Sequence, residues 1–443
     1  MNNKLMLLTS ALCLSATVSQ AAKKDHPNII LIYCDDMGYG DLGVTGHPHI
    51  KTPNLDKMAL AGTRFTNYYS ASPASTASRY AMLTGKYAPR AGFDWVLYPK
   101  HRRGIHENEI TQAEAAKAQG YKTAIYGKWH LGSKEKKYLP LQNGFDEYVG
   151  LPYSNDMIPP GFQDIALLNG NDTITMNPDQ SILTELYTDK AIDFIKRNKK
   201  ENFFVYIPYA MPHVPLHPGK AFAGKSKRGA YGDVVEEIDY HVGRLLKELK
   251  RMKLDKNTIV WFISDNGPWI LRNEQGGSAG LFRDGKGSTW EGGVRVPCIA
   301  YCPEKIPAAI NEDVVCAMDV YATNLWLTGY KLPKDHLTDG QNIASALGYD
   351  VTPKPETPYY YFGVGHQLMA VRDGKWKLHV KTWSQIHKDY FNGKLPLLFN
   401  LEVDPSEKYD VADKHPEIVE RLTKMITEKR AEVKNNGCFY DMK

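Results

Sequence analysis

The sequence predicts an α/β fold: a large, mostly parallel central sheet sandwiched by helices, followed by a smaller C-terminal α+β subdomain containing an antiparallel sheet. Three observations predict it. Continuous apolar runs at 28–34 (NIILIYC), 203–207 and 258–263 have the composition of strands buried on both faces. Amphipathic helical patterns stand between them, at 182–197 and 234–252. Polar residues then cluster directly after the strands, where open α/β sheets bind their ligands.

The elements follow in chain order. Residues 1–21 have the form of a secretory signal peptide, with Lys4, an apolar run from Leu5 to Val18, and Ser19-Gln20-Ala21 as the cleavage site. The mature chain is therefore expected to be exported, periplasmic or secreted. No later stretch is long and apolar enough to span a bilayer. A short helix is expected over 54–61 and another from Ser75. A capping box, Thr111 with Glu114, opens a helix that Gly120 stops. A short strand over 122–126 precedes Gly127-Lys128-Trp129-His130. In the long helix at 234–252, Val235, Ile238, Val242, Leu245 and Leu249 recur at helical spacing.

After a helix over 319–328 the turns become denser. Strands are expected over 359–362, 369–372, 375–380 and 398–401, with Asp373-Gly374 as a hairpin turn and a closing helix over 416–433. The expected division is 1–21, 22–344 and 345–443.

Composition narrows the function. The net charge of +5 is spread along the chain, without the basic tract of a nucleic-acid binder. Removing Cys13 leaves Cys34, Cys298, Cys302, Cys316 and Cys438, with no Cys-x-x-Cys pair. Neither a disulfide scaffold nor a zinc ribbon is expected.

Asp35, Asp36, Asp265 and Asn266 are hard oxygen donors placed after two buried strands, and such a set favours Ca²⁺, or Mg²⁺, over zinc. Arg79, Lys128, His130, His213 and Lys286 would form a positive pocket for a phosphate or sulfate ester. His47, His49 and His217 read as loop residues. Ser75 begins a helix, whose unpaired N–H groups and partial positive charge suit an anion or a nucleophile, and Arg79 lies one turn further on the same face.

These motifs, in this order, resemble the type I sulfatases, the formylglycine-dependent enzymes of the alkaline phosphatase superfamily. They are Asp35-Asp36-Met37-Gly38-Tyr39-Gly40-Asp41-Leu42-Gly43, Thr52-Pro53-Asn54-Leu55-Asp56, Ser75-Thr76-Ala77-Ser78-Arg79, Gly127-Lys128-Trp129-His130-Leu131-Gly132, Pro212-His213, Asp265-Asn266-Gly267, and Lys286-Gly287 leading to Glu291-Gly292-Gly293-Val294-Arg295-Val296-Pro297. The resemblance runs from about residue 28 to near 425.

It implies that Ser75 is the residue oxidised to formylglycine (3-oxoalanine). Ser72 is the competing register, but its fourth residue on is Thr76, so Arg79 selects Ser75. Serine in place of cysteine, and Ala77 in place of proline, imply a bacterial host with a radical-type, serine-competent maturase. The resemblance also implies that a geminal hydroxyl of the aldehyde hydrate attacks sulfur. A metal held by Asp35, Asp36, Ser75, Asp265 and Asn266, with Arg79, Lys128 and Lys286, balances the charge. His213 is the expected acid for the leaving alcohol, and His130 assists the second hydroxyl. Pro152-Tyr153-Ser154-Asn155-Asp156 looks like the arylsulfatase A and N-acetylgalactosamine-6-sulfatase branch. The expected substrate is a galactose or N-acetylgalactosamine sulfate at a glycan end, with Asp156 and His366 as sugar contacts.

Two other readings stand beside it. One is a phosphatase or phosphodiesterase of the same superfamily using unmodified Ser75, against which Asn266 speaks. The other is a glycan-binding pseudo-sulfatase, against which the full set of Lys128, His130, His213 and Lys286 speaks.

Overall fold

A computed structural model describes residues 26–93, 95–386 and 391–436. The expected signal peptide, Cys13 and Cys438 lie outside them. Among the described residues the strands are β1 Asn28–Cys34, β2 Thr63–Phe65, β3 Tyr68–Tyr69, β4 Lys122–Tyr126, β5 Glu147–Gly150, β6 Ala166–Asn169, β7 Asp172–Met176, β8 Phe203–Pro208, β9 Thr258–Ser264, β10 Cys298–Tyr301, β11 Ala309–Asn311, β12 Val315–Cys316, β13 Tyr359–Phe362, β14 Leu368–Asp373, β15 Trp376–His379 and β16 Leu397–Asn400. The helices are α1 Pro53–Ala61, α2 Ser75–Thr84, α3 Gln112–Ala118, α4 Leu183–Arg197, α5 Gly229–Arg251, α6 Glu291–Val294, α7 Ala317–Thr328 and α8 Pro416–Asn435.

A ten-stranded sheet has the order β11-β2-β10-β9-β1-β8-β4-β5-β6-β7. Its middle, from β9 through β5, is parallel, and antiparallel pairs lie toward both ends. Alternate residues of each inner strand feed opposite faces. Ile29, Leu31 and Tyr33 of β1 join Phe204, Trp261 and residues of α2, α3 and α7 in one core. Ile30, Ile32 and Cys34 join Val205, Phe262 and residues of α1, α4 and α5 in the other. Helices therefore cover both faces, which is why the inner strands read as unbroken apolar runs.

The second sheet, β13-β14-β15-β16, is antiparallel throughout. Its hairpin turn falls one residue later than the sequence suggests. Asp373 stays paired with Trp376, and Gly374 takes the left-handed conformation at φ +57°. The capping box opening α3 has the expected form, with Glu114 N–H donating to Thr111 Oγ1 at 3.0 Å and Thr111 N–H to Glu114 Oε2 at 2.7 Å. The described cysteines, Cys34, Cys298, Cys302 and Cys316, are buried free thiols.

Candidate active site

The neighbouring strands β9, β1, β8 and β4 all point the same way. Their C-terminal ends deliver Asp265 and Asn266, Asp35 and Asp36, His213, and Lys128 and His130 to one edge of the sheet. The first residue of α2, Ser75, meets them there. Its Oγ donates to Asp35 Oδ1 at 3.0 Å. Asp36 and His130 adopt positive φ (62° and 61°), a conformation costly for non-glycine residues and characteristic of functional turns.

The cluster pairs each carboxylate with a cation. Lys128 Nζ donates to Asp35 Oδ2 at 2.5 Å and to Ser154 Oγ at 3.1 Å. Arg79 donates through Nε and Nη2 to Asp265 Oδ2 at 3.1 and 2.9 Å. Lys286 Nζ donates to Asp36 Oδ2 at 2.7 Å. All six side chains are buried, so their charges act on one another with little water between them. Burial pushes the Asp35 carboxyl upward, but the Lys128 ammonium beside it prevails and holds it well below the usual range. Burial, reinforced by Lys128 and Arg79, holds His130 well below the ordinary histidine value. Burial and Lys286 do the same, less strongly, for His213.

The donor set fits a hard divalent cation. Asn266 Nδ2 donates to Asp36 Oδ1 at 2.7 Å and to Gly267 O at 2.9 Å, leaving its Oδ1 buried without a partner among the described residues. An orphaned buried carbonyl beside three carboxylates is the arrangement a Ca²⁺ or Mg²⁺ ion would satisfy. The structure also brings in a donor that the sequence-derived ligand set lacks. Asp35, Asp36 and His213 place donor atoms within 4.8 Å of one another. His213 Nδ1 donates to Val214 O at 2.5 Å, so Nε2 faces Asp36 Oδ2, 3.5 Å away.

Above this floor lies a cavity of about 360 Å³, lined by Ser75, His130, Ser154, Asp156, His213 and Lys286 and walled by Trp95, Tyr98, Phe162, Trp269 and Trp383. Trp269 stands 4.5 Å from Lys286 Nζ and 5.6 Å from the His213 ring, and Trp95 and Trp383 meet edge-on at 6.4 Å. Asp156 Oδ1 is buried without a partner among the described residues. His366 is not brought to the cavity; it lies in the connection between β13 and β14. A larger cleft, about 760 Å³, opens beside the antiparallel sheet. Of its cations, Arg295, Lys354 and Arg372 bond Thr66 O, Asp319 and Tyr69.

Residues 27–330 match the family model described as Sulfatase, and 354–438 match the C-terminal region of aryl-sulfatase. The chain belongs to the sulfatase family. It is 36% identical to N-acetylgalactosamine-6-sulfatase of Canis lupus familiaris, over 96% of this chain and 88% of that one. It is 37% identical to arylsulfatase A of Bos taurus, covering 93% and 88% of the two chains. Among solved structures, the PsFucS1 sulfatase of Pseudoalteromonas sp. superposes with a TM-score of 0.83 at 27% identity, covering 94% and 92%. A protein from the glycosaminoglycan-metabolism locus of Bacteroides thetaiotaomicron gives 0.82 at 28%, covering 92% and 100%. This sulfatase is a sulfuric ester hydrolase.

Sequence reasoning missed several groups that surround the cavity. Ser154 sits inside a motif it had singled out, yet only the fold puts its hydroxyl on Lys128. Trp95, Trp269 and Trp383 carry no local signal, because isolated tryptophans in loops look like ordinary packing residues.

Proposed function

We propose that this sulfatase removes sulfate from a galactose or N-acetylgalactosamine unit at the end of a sulfated glycan, with Ser75 matured to formylglycine. The observation that carries the reading is the Ser75 hydroxyl, hydrogen-bonded to Asp35 at the floor of an aromatic-walled cavity where three buried carboxylates face three buried cations. Relatives support the substrate class: one is an N-acetylgalactosamine-6-sulfatase, and a solved structure, Ps i-CgsB, 29% identical with a TM-score of 0.80, is in complex with k-i-k-neocarrahexaose.

Asp35, Asp36, Asp265 and Asn266, with residue 75, would hold one Ca²⁺ or Mg²⁺. When bound, such an ion supplies Lewis-acid polarisation of the sulfate oxygens and of the nucleophile. An aldehyde hydrate at position 75 would supply a hydroxyl nucleophile toward sulfur and a second hydroxyl for release of the sulfate.

The chain's own residues do the rest. Lys128 spends two of its three N–H donors on Asp35 and Ser154, leaving one for a sulfate oxygen. Lys286 approaches from the Asp36 side, and Arg79, fixed on Asp265, adds a permanent positive charge beneath residue 75. The bond from His213 Nδ1–H to Val214 O fixes the ring with Nε2 toward the site, and Nε2 can protonate the leaving alcohol only from the imidazolium. The lowered pKa makes that imidazolium a stronger acid than an ordinary histidine but a less populated one. His130 Nε2 donates to Leu97 O at 2.9 Å; its Nδ1, buried and unpartnered among the described residues, is the acceptor for the second hydroxyl.

Asp156 would accept a hydroxyl of the sugar in the cavity, and His366 would meet only parts of a glycan lying beyond it. Export through residues 1–21, maturation by a radical-type enzyme, and a division near residue 345 belong to the same proposal. Among the described residues no helix is long and apolar enough to cross a membrane.

Mass spectrometry of the Ser75 peptide from the native host tests the central step. Loss of two hydrogens at Ser75 is expected, and a wholly unmodified serine in an active preparation would refute the aldehyde mechanism. A panel of galactose and N-acetylgalactosamine sulfates then tests the substrate.

A further inference from the structure

A second buried charge cluster lies behind the pocket, and the mechanism does not use it. Lys377, on β15 of the antiparallel sheet, is fully buried. Its Nζ donates to Thr289 O at 2.9 Å and to Glu291 Oε1 at 2.9 Å, and sits 2.8 Å from Glu407 Oε1. The ammonium is thereby held by two hydrogen bonds and an ion pair. Glu407, in the turn after β16, accepts the Glu291 N–H on Oε2 at 2.7 Å and His379 Nε2–H on Oε1 at 2.7 Å. Burial pushes the Glu291 carboxyl up, but Lys377, then Arg295 and Arg372, hold it well below the usual range.

Thr289 and Glu291 close the short loop that begins at Lys286. The near end of that loop is fastened within the catalytic part, with Lys286 N–H donating to Pro268 O and Gly287 N–H to Pro73 O, both at 2.8 Å. The far end is fastened by Lys377 of the antiparallel sheet and by Glu407 of the turn that follows it. Gln385 adds a bond from its amide to the Lys286 carbonyl. Three residues of chain reach at most about 10 Å, so a shift at Thr289 is passed directly to Lys286.

We propose that Lys377 and Glu407 are positioning residues for the sulfate site: by clamping the loop at Thr289 and Glu291, they aim the Lys286 ammonium at the bound sulfate. The antiparallel sheet thus contributes to anion binding without touching the anion. This rests on the reading that Lys286 binds sulfate.

Calorimetric titration of inorganic sulfate, in calcium-containing buffer, tests it without depending on turnover or on the state of Ser75. Wild type is compared with Lys286→Ala, Lys377→Met and the double variant. Lys377→Met should weaken sulfate about tenfold, the scale of a lost charge-assisted contact. In the Lys286→Ala background the same change should alter affinity by less than about twofold, because coupled sites are non-additive. A folded Lys377→Met that binds like wild type overturns the proposal, as does an equal weakening in both backgrounds. If Lys286→Ala alone binds sulfate like wild type, the sulfate-pocket assignment fails instead, and that single variant identifies which reading was wrong. Should Lys377→Met not fold, Glu407→Gln carries the same comparison. It keeps an acceptor for Lys377 and His379 but turns an amide toward the Glu291 N–H.

Discussion

Two buried ionic clusters stand about one loop apart in this sulfatase, and they are built differently. In the cluster around Glu291, each of its oxygens and those of Glu407 is bonded inside the protein: Tyr361, Lys377, Tyr69 and Arg295 serve Glu291, and the Glu291 N–H, Lys377 and His379 serve Glu407. In the cluster around Ser75 the charges are also paired, and each cluster holds one histidine Nδ1 without a partner among the described residues, His130 and His379; what sets the Ser75 cluster apart is the unpartnered carbonyl Asn266 Oδ1 and the cavity that opens above it. A closed cluster fixes geometry. An incompletely satisfied one has capacity left for a ligand, because buried polar atoms without partners carry a desolvation cost that a ligand removes. The same residue types therefore do opposite work.

Substitutions should separate the two. The largest effect is expected at Ser75. Ser75→Ala should lower turnover of an aryl sulfate by at least about 10³-fold, with the thermal midpoint almost unchanged, since nucleophile losses are of this order or greater. Steady-state kinetics alongside a melting curve checks both halves.

Lys377→Met should show the reverse balance. Removing one partner from a buried ion pair costs about 3–5 kcal/mol in stability. Urea unfolding measures it, and a loss below about 1 kcal/mol would show that this cluster is not the closed one described here.

Cation removal acts on the open cluster alone. Chelation should abolish activity and lower the melting temperature, with both restored by Ca²⁺. A ligand at 100 times its Kd adds about 2.7 kcal/mol to the folded state. The closed cluster has no comparable dependence.

The pH response probes the closed cluster. An unfolded glutamate titrates near about 4.3. Native Glu291 titrates well below its usual value, through Lys377, Arg295 and Arg372 acting against burial. On acidification the unfolded chain takes up this proton first. The stabilisation is therefore complete above the unfolded value and is lost as pH falls below it. Glu291→Gln should flatten the stability profile between about pH 5 and pH 3, measured by urea midpoints.

The smallest effect is expected at His366. His366→Ala should leave turnover of a sulfated monosaccharide within about twofold, the range typical of changes outside a binding site. Only longer glycans should bind less well. Asp156→Asn, inside the cavity, should raise KM for the monosaccharide several-fold, and comparing the two variants locates the sugar.

Most of the central architecture is legible along the chain. β1, β8 and β9 are buried on both faces, so their sequences are apolar without interruption; α4 and α5 show a 3.6-residue stripe because one face alone is covered. The strands missed are those whose neighbours decide them. β2, β10 and β11 are short and mix parallel with antiparallel pairing, while every residue of β7 is exposed at the sheet edge. Such segments carry little periodic signal.

The sequence by itself determined the sheet's inner strands, the polar residues that end them, and the register in which Ser75 and Arg79 share a helix face. Those are local properties, written in hydrophobic period and turn chemistry. Only the tertiary structure decided which charges are neighbours. Lys377 in isolation reads as a solvated strand lysine; it becomes a buried clamp because the fold brings it onto Glu291, 86 residues away. Burial removes the water that would otherwise weaken the pair, and burial is a property of the assembled layers, which no short stretch of chain specifies.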